Sequence, residues 1–139
     1  MVVLDANVWV ASLLGDEPKH IDSDRWLYDW LSNERSLVVP ALFVVEVGSA
    51  VARRRRSALE GNIAIARVET EPLLDIRDQS PHLWSSGARH AANLQIRAAD
   101  AIYVALAADL GLPLVTWDQE ILDRAADVID VRTPDQMPT

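Results

Sequence analysis

Two acidic residues follow short apolar runs of the chain. Asp5 comes directly after residues 2–4, and Asp118 comes two residues after the run 114–116. An apolar run without alternation is typical of a strand that is buried on both faces, as in a parallel sheet. Ligands of such sheets bind just beyond the carboxyl ends of the strands. We therefore expect both carboxylates to face a binding crevice; the alternative for each is a cap on the following helix.

Two other acidic residues interrupt segments that have the pattern of buried helices. Glu46 is the only charged residue between Pro40 and Arg53, and Asp100 stands before the apolar residues 101–106. A buried ionised carboxylate is unfavourable unless it is paired or bound to a metal, which indicates a partner for Glu46. The alternatives are an exposed helix face for Glu46 and a capping or dipole role for Asp100.

In a parallel sheet these positions converge on one crevice, which would hold four acids: Asp5, Glu46, Asp100 and Asp118. Carboxylates that lie so close repel one another, so the pocket makes physical sense only around cations. Ligands that are all oxygen favour Mg²⁺ or Mn²⁺ over zinc, and the chain has no Cys. No metal-ligand spacing is present among the histidines, which are His20, His82 and His90.

The composition predicts one soluble intracellular domain. The chain has 139 residues, of which 50% are hydrophobic, and no apolar run approaches the roughly 20 residues of a membrane span. No N-terminal stretch has the pattern of a secretory signal, so we expect a cytoplasmic protein. The net charge of −8 opposes a polyanionic partner at long range, but the four arginines at 53–56 concentrate positive charge locally.

Strands and helices must alternate along the chain to bring the four acids together. The apolar pattern predicts strands at residues 2–4, 37–39, 73–76, 114–116 and 128–131. Helices are predicted at 7–14, 22–31, 41–56, 58–68, 81–94, 98–110 and 119–126, with a weak point or an interruption at Gly61 and Asn62. This order predicts a single three-layer α/β domain over residues 1–132 with a mainly parallel sheet, followed by a polar tail over 133–139.

Two of these helices leave an alternative open. The β-branched residues of segment 41–47 favour a strand, whereas Pro40 and the Ala and Arg residues that follow favour the helix that we predict. In the helix at 22–31, Trp26 and Trp30 lie four residues apart and form an aromatic stripe. We expect this stripe in the core; the alternative is a partner-binding groove that also involves the region of Trp9.

Four segments of the chain together resemble one family. They are Val3-Leu4-Asp5-Ala6-Asn7, the stretch from Pro40 through Glu46, residues 97–107 with the sequence RAADAIYVALA, and Leu114-Val115-Thr116-Trp117-Asp118. In their order and spacing, over nearly the whole chain, these segments resemble the PIN-domain ribonucleases, and most of all the VapC-like toxins of type II toxin/antitoxin pairs.

The resemblance implies a PIN-like domain with a five-stranded parallel sheet flanked by helices, and a metal-dependent endoribonuclease that uses Mg²⁺ or Mn²⁺. It implies that four residues are catalytic and bind metal, namely Asp5, Glu46, Asp100 and Asp118, and that Asn7 and Thr116 support them. Asp123 could contribute in place of Asp118. In a two-metal mechanism Asp5 and Asp100 would bridge or share the metals, but a single metal is equally compatible with the sequence.

The resemblance also implies three partners: an RNA substrate, a cognate antitoxin and a second copy of the chain in a homodimer. Arg53 lies seven residues after Glu46, which places both residues on the same face of the predicted helix. Candidates for contact with RNA are Arg53, Arg54 and Arg56, of which only one or two can face the site because the arginines spread around the helix. The alternative is a solvated helix end whose cations complement the helix dipole.

The sequence leaves three other functions open. A phosphatase or phosphoacceptor domain would also have an Asp after its first strand, but it would need a second acid nearby and a late lysine, whereas Asn7 stands here and Lys19 is the only lysine. A non-catalytic PIN-like module for binding RNA or protein would be expected to have lost an acid. A PIN ribonuclease that is not a toxin would differ from a toxin by lacking a small adjacent antitoxin gene.

Overall fold

Five short strands form one parallel sheet, as the sequence predicted. The structure, a computed structural model, describes residues 1–139. In chain order the strands are β1 (Val2–Leu4), β2 (Leu37–Pro40), β3 (Leu74–Arg77), β4 (Leu114–Val115) and β5 (Val131–Arg132). Their order across the sheet is β3-β2-β1-β4-β5, and every neighbouring pair is parallel. The central strand β1 is therefore flanked on both sides and is almost completely buried.

Seven helices surround the sheet and confirm the predicted three-layer α/β class. They are α1 (Ala6–Leu13), α2 (His20–Ser32), α3 (Leu42–Arg55), α4 (Ala58–Thr70), α5 (Pro81–Leu94), α6 (Ala98–Leu110) and α7 (Gln119–Arg124). They pack largely in sequential pairs, α1 with α2, α3 with α4 and α5 with α6, and α6 also lies against β1 and β2. None of these helices combines the length and the apolar character that crossing a bilayer requires.

Segment 41–47, in which β-branched residues compete with helix signals, folds as the start of helix α3. Its partner α4 runs without interruption through Gly61 and Asn62, so the weak point there does not break the helix. A Cβ atom at Gly61 would lie 2.7 Å from the Cβ of Ala52 and 3.1 Å from the carbonyl oxygen of Gly48. The glycine is therefore needed for the close approach of the two helices rather than for a bend.

The aromatic stripe of α2 belongs to the core. Trp26 and Trp30 are 4% and 2% exposed, and their rings stack with centroids 5.1 Å apart. Trp9 is buried as well, and its ring meets Phe43 edge to face. The alternative prediction, in which these tryptophans form a partner-binding groove, is therefore wrong for the side chains themselves.

The end of the chain differs from the prediction in two places. The last strand begins at Val131 instead of residue 128, because the amide groups of Val128 and Ile129 both donate to the carbonyl of Ala125 and form a turn. The polar tail contains a single 3₁₀ turn at Pro134–Gln136, and Pro134 is buried. This turn packs against α2, so the tail is part of the folded domain.

Candidate active site

The carboxyl ends of β1 and β4 place Asp5 and Thr116 side by side. The two strands are paired with Leu4 opposite Val115, and the amide of Asp5 donates to the carbonyl of Val115 at 3.0 Å. One residue further along each strand, the hydroxyl of Thr116 donates to Oδ2 of Asp5 at 2.7 Å. The register of the sheet therefore fixes the direction of the Asp5 carboxylate.

Asn7 completes the support of Asp5 from the first turn of α1. Its backbone amide donates to Oδ1 of Asp5 at 3.3 Å, so that Asp5 is the N-cap of α1. Its side-chain amide donates to Oδ2 of Asp5 at 3.2 Å and to Oγ1 of Thr116 at 3.1 Å, and its Oδ1 accepts from the amide of Trp117 at 3.2 Å. A helix cap and a functional role were alternatives for Asp5, and the structure shows that they are compatible. Oδ1 accepts from the backbone amide that the cap satisfies, whereas Oδ2 accepts only from the side chains of Thr116 and Asn7.

Burial dominates the electrostatics of Asp5. The side chain lies in the core, and this burial raises its pKa from 3.8 to about 7, even though the hydrogen bonds from Thr116 and Asn7 act in the opposite direction. The negative charges of Glu46 and Asp100 raise the pKa further. A cation beside this carboxylate would reverse the effect and favour the ionised form.

Glu46 extends from α3 toward the same place and is held by a tyrosine. The hydroxyl of Tyr103, from the buried helix α6, donates to Oε1 of Glu46 at 2.6 Å. The Tyr103 side chain is fully buried, so this hydroxyl has a fixed position. Burial raises the pKa of Glu46, the hydrogen bond from Tyr103 opposes the rise, and the charge of Asp100 adds to it.

Asp100 and Asp118 are joined by one arginine. Nε of Arg97 donates to Oδ2 of Asp100 at 3.0 Å, and Nη2 of the same side chain donates to Oδ2 of Asp118 at 2.6 Å. Burial raises the pKa of Asp100, and its contact with Arg97 works against the rise. Asp118 is also the N-cap of α7, since its Oδ1 accepts from the amides of Glu120 and Ile121 at 2.8 and 3.2 Å.

All four predicted acids line one groove of about 790 Å³. The groove is also lined by Asn7 and by four basic residues, Lys19, Arg53, Arg54 and Arg97. Each acid comes from a different segment: the end of β1, α3, the first turn of α6, and the N-cap of α7. The groove therefore combines negative charge in its interior with several cations that could bind phosphate.

The basic residues at the end of α3 divide into two groups. Arg53 and Arg54 line the groove, and Arg54 is paired with Glu17. Arg56 is the C-cap of α3, with a left-handed backbone, and does not line the groove. The structure thus brings two of the three candidate RNA contacts to the acids and leaves the third outside.

Residues that the sequence left as secondary candidates lie elsewhere. Asp123 accepts a hydrogen bond from Gln119 at 2.7 Å on the exposed side of α7, outside the groove. None of the histidines lines the groove either: His20 contacts the carbonyl of Ala11 at 2.9 Å, and His82 contacts Asp109 at 3.1 Å. Asp118 is consequently the acid of this region that reaches the groove.

The carboxylates of the groove are suitable ligands for a hard divalent cation. Every acid offers carboxylate oxygen, which Mg²⁺ and Mn²⁺ prefer. Burial and mutual repulsion raise the pKa of three of the acids, Asp5, Glu46 and Asp100. In this arrangement no three Asp, Glu or His side chains already form a coordinating group, and Arg97 bridges two of the acids.

Sequence reasoning missed the roles of Arg97 and Tyr103. Arg97 lies three residues before Asp100, at the start of a helix, and this spacing is the available signal for an ion pair. Tyr103 is the one hydroxyl in the apolar segment 101–107, so its need for a buried partner is a second signal. Lys19 and Trp117 form a further contact at the groove, with the ammonium 4.5 Å from the ring centroid.

Solved structures with this fold include three that cover almost the whole chain. The toxin VapC20 of Mycobacterium tuberculosis, described as cleaving the sarcin-ricin loop, is 16% identical, with 95% of this chain and 99% of that chain covered and a TM-score of 0.77. FitAcB from Neisseria gonorrhoeae is 22% identical, with 99% and 100% covered and a TM-score of 0.71. A toxin-antitoxin complex from Klebsiella pneumoniae is 17% identical, with 96% and 98% covered and a TM-score of 0.69.

At these identities the likeness to solved structures concerns the fold. A search of curated protein sequences gives no match. The family is shown by the sequence itself, because the family model of the PIN domain matches residues 2–128, which include all four acids of the groove. The chain therefore belongs to the PIN domain family.

Proposed function

We propose that this protein is a metal-dependent endoribonuclease that hydrolyses RNA phosphodiester bonds as the toxin of a toxin/antitoxin pair. The observation that carries the proposal is the convergence of four carboxylates, from four separate segments, on one groove: Asp5, Glu46, Asp100 and Asp118. Burial and mutual repulsion raise the pKa values of Asp5, Glu46 and Asp100, so the ionised forms of these acids are unfavourable until a cation joins them, which is a cost to stability. Such a cost is expected at a functional site.

These four acids would hold Mg²⁺ or Mn²⁺ in the groove. When bound, the metal would activate a water molecule and stabilise the oxygen that leaves the phosphate. The protein supplies the orientation of the ligands: Thr116 and Asn7 direct Asp5, and Tyr103 directs Glu46. Ligands that are held in this way need little rearrangement when the substrate binds.

The basic residues of the groove would bind the RNA backbone. Arg53 and Arg54 stand at the end of α3, and Lys19 stands over Trp117. The net charge of −8 repels RNA at long range, so local cations beside the acids must supply the attraction. Contacts of this kind position the substrate and carry no base preference.

A cognate antitoxin and a homodimer complete the proposal. The antitoxin is supported by similar structures that are described as toxin-antitoxin complexes, such as the one from Klebsiella pneumoniae. A cleaving toxin is supported by the description of VapC20 from Mycobacterium tuberculosis. The homodimer is an expectation from the resemblance, and exposed apolar residues such as Leu59 and Trp84 are available for contacts.

The test is RNA cleavage by the purified protein with Mg²⁺ or Mn²⁺, compared with the same reaction in EDTA. The variant Asp5→Asn removes a ligand charge with little change of volume, and we expect it to abolish cleavage. Asp123→Asn is the matched control, because Asp123 is exposed and lies outside the groove. We expect it to cleave RNA at the rate of the wild type.

Two results would contradict the proposal. Cleavage by Asp5→Asn at the wild-type rate would place the active site elsewhere. Folded protein that binds RNA but cuts no RNA of a broad panel, with either metal, would favour the non-catalytic module.

A further inference from the structure

Arg97 is the one basic residue of the groove that is paired with the proposed metal-binding acids. It is the N-cap residue of α6, and its guanidinium reaches Oδ2 of Asp100 at 3.0 Å and Oδ2 of Asp118 at 2.6 Å. The other groove cations are engaged differently: Arg54 pairs with Glu17, and Lys19 lies over Trp117.

Arg97 is much more exposed to solvent than the two acids that it contacts. The Arg97 side chain is 70% exposed, whereas those of Asp100 and Asp118 are 13% and 16% exposed. The acids are therefore fixed within the groove, while the guanidinium can leave toward solvent without disturbing the core. An exposed ion pair has a small but measurable stability, so a metal ion can displace the guanidinium at a modest cost in affinity.

At Asp118 the oxygen that Arg97 contacts is the one left for a divalent cation, because Oδ1 of Asp118 caps α7; at Asp100 the arginine holds one of the two carboxylate oxygens. A guanidinium and a metal ion both neutralise carboxylates, and a guanidinium that contacts an oxygen obstructs the approach of a metal ion to that oxygen. A guanidinium keeps its charge in proteins, so Arg97 can neutralise these carboxylates at any working pH.

We propose that Arg97 is a built-in competitor for the metal of this site. With no divalent cation bound it neutralises Asp100 and Asp118, and a cation that uses both of these acids must displace it from Oδ2 of Asp118. Arg97 therefore lowers the metal affinity and sets the cation concentration at which the site fills. This inference rests on the proposed function, because it requires that the groove binds a metal.

The test measures Mn²⁺ binding by titration calorimetry on the wild-type protein and on Arg97→Gln. We expect the Kd for Mn²⁺ to fall by about three- to thirtyfold in Arg97→Gln, since two ion pairs no longer oppose binding. The matched control is Arg132→Gln, which removes the same charge from an exposed pair with Asp130 outside the groove. We expect its Kd to stay within about twofold of the wild type.

Thermal unfolding gives a second readout that needs no activity. Without metal, Arg97→Gln leaves Asp100 and Asp118 unneutralised, so we expect a lower Tm than that of the wild type. With saturating Mn²⁺ we expect a larger rise of Tm in Arg97→Gln than in the wild type. A ligand that binds only the folded state stabilises it more when its affinity is higher.

The outcomes separate this inference from the proposed function. One outcome is that the wild type binds Mn²⁺ and Asp5→Asn weakens that binding, while the Kd of Arg97→Gln is equal to or higher than that of the wild type. That result overturns the competition and leaves the metal site standing. If neither the wild type nor Arg97→Gln binds Mn²⁺, the metal site and the competition both fall.

Discussion

Asp5 is both the N-cap of α1 and the one acid of the groove that is buried in the core. Its oxygens already accept hydrogen bonds from Thr116 and Asn7, yet burial still raises its pKa to about 7. Ionisation of Asp5 is therefore unfavourable in the folded protein without a cation. This residue links the stability of the fold to pH and to metal.

The first prediction concerns that link. Because Asp5 binds its proton more tightly in the folded state than at its ordinary pKa of 3.8, the free energy of unfolding falls as pH rises between about 4 and 7. The raised pKa values of Glu46 and Asp100 act in the same direction. Between pH 5 and pH 8, in EDTA, Asp5→Asn should remove about 2.5 kcal/mol of this pH dependence.

Urea unfolding of both proteins at the two pH values measures the difference. Asp123→Asn controls for the loss of one negative charge and should keep the wild-type pH dependence. Equal pH dependence in the wild type and in Asp5→Asn would show that Asp5 is already ionised in the folded protein at pH 5.

The second prediction concerns the hydroxyl that holds Glu46. Tyr103→Phe preserves the buried ring and removes the donor to Oε1 of Glu46. We expect a loss of about 1 kcal/mol in the free energy of unfolding, and a cleavage rate lower by about tenfold or more, since Glu46 is less well directed.

The control for Tyr103→Phe is Tyr28→Phe, at a tyrosine that is 72% exposed. Cleavage rate and urea unfolding should both be unchanged in that variant. A Tyr103→Phe protein with the wild-type cleavage rate would show that the hydroxyl satisfies a buried hydrogen bond and does not direct Glu46 for catalysis.

At the scale of the residue, the sequence predicted the acids better than their partners. Asp5 and Asp118 could be placed because the end of a buried parallel strand fixes where the next side chain stands. The contacts of Arg97 and Tyr103 depend on side-chain directions across two elements, which spacing along one segment does not define. The same limit explains why Arg56 was grouped with Arg53 before the helix end was known.

The pair α3 and α4 holds Glu46 in place and depends on small residues. A Cβ at Gly61 would lie 2.7 Å from the Cβ of Ala52 and 3.1 Å from the carbonyl oxygen of Gly48, and neither of these atoms belongs to a flexible side chain. We predict that Gly61→Ala lowers the free energy of unfolding by about 1 kcal/mol, because the strain exceeds the gain in helix propensity.

Urea unfolding of Gly61→Ala measures this effect, with Gly15→Ala as the control. A Cβ at Gly15 meets no atom within 4 Å, so that variant should unfold like the wild type. If Gly61→Ala is as stable as the wild type, the two helices can separate slightly at no cost.

At the scale of the element, predictions succeeded where the sequence carries a clear stop signal. Helix α6 was predicted with its observed bounds, since Gly111 adopts the left-handed conformation that ends it. Strand β5 was displaced by three residues at its start because Val128 and Ile129 have the apolar character of a strand but donate to Ala125 in a turn. Apolar character alone does not separate these two states.

For the whole molecule, the fold could be predicted from the alternation of strands and helices, which implies a mainly parallel sheet. The distribution of charge could not be predicted as well, because a net charge of −8 does not show where the cations lie. In the folded protein Arg53 and Arg54 line the acidic groove, whereas Arg55 lines a separate hollow beside Glu60 on α4. One run of arginines is therefore divided between two surfaces.

We predict that the charge of the groove, and not the total charge, controls RNA binding. In an Asp5→Asn background, which we expect not to cut RNA, Arg53→Gln with Arg54→Gln should weaken binding to single-stranded RNA. The slope of log affinity against log salt concentration should become shallower by about 1.4, which is the value for two lost phosphate contacts. Fluorescence anisotropy at a series of KCl concentrations measures this slope.

The control is Arg55→Gln with Arg56→Gln, which removes the same charge from adjacent positions that do not line the groove. We expect its salt slope to equal that of the background protein. Equal losses in the two double variants would mean that RNA responds to the overall positive charge at the end of α3, and the groove would then not be the surface that binds the phosphates. A loss confined to the first pair would place the RNA backbone across the four carboxylates, where hydrolysis requires it.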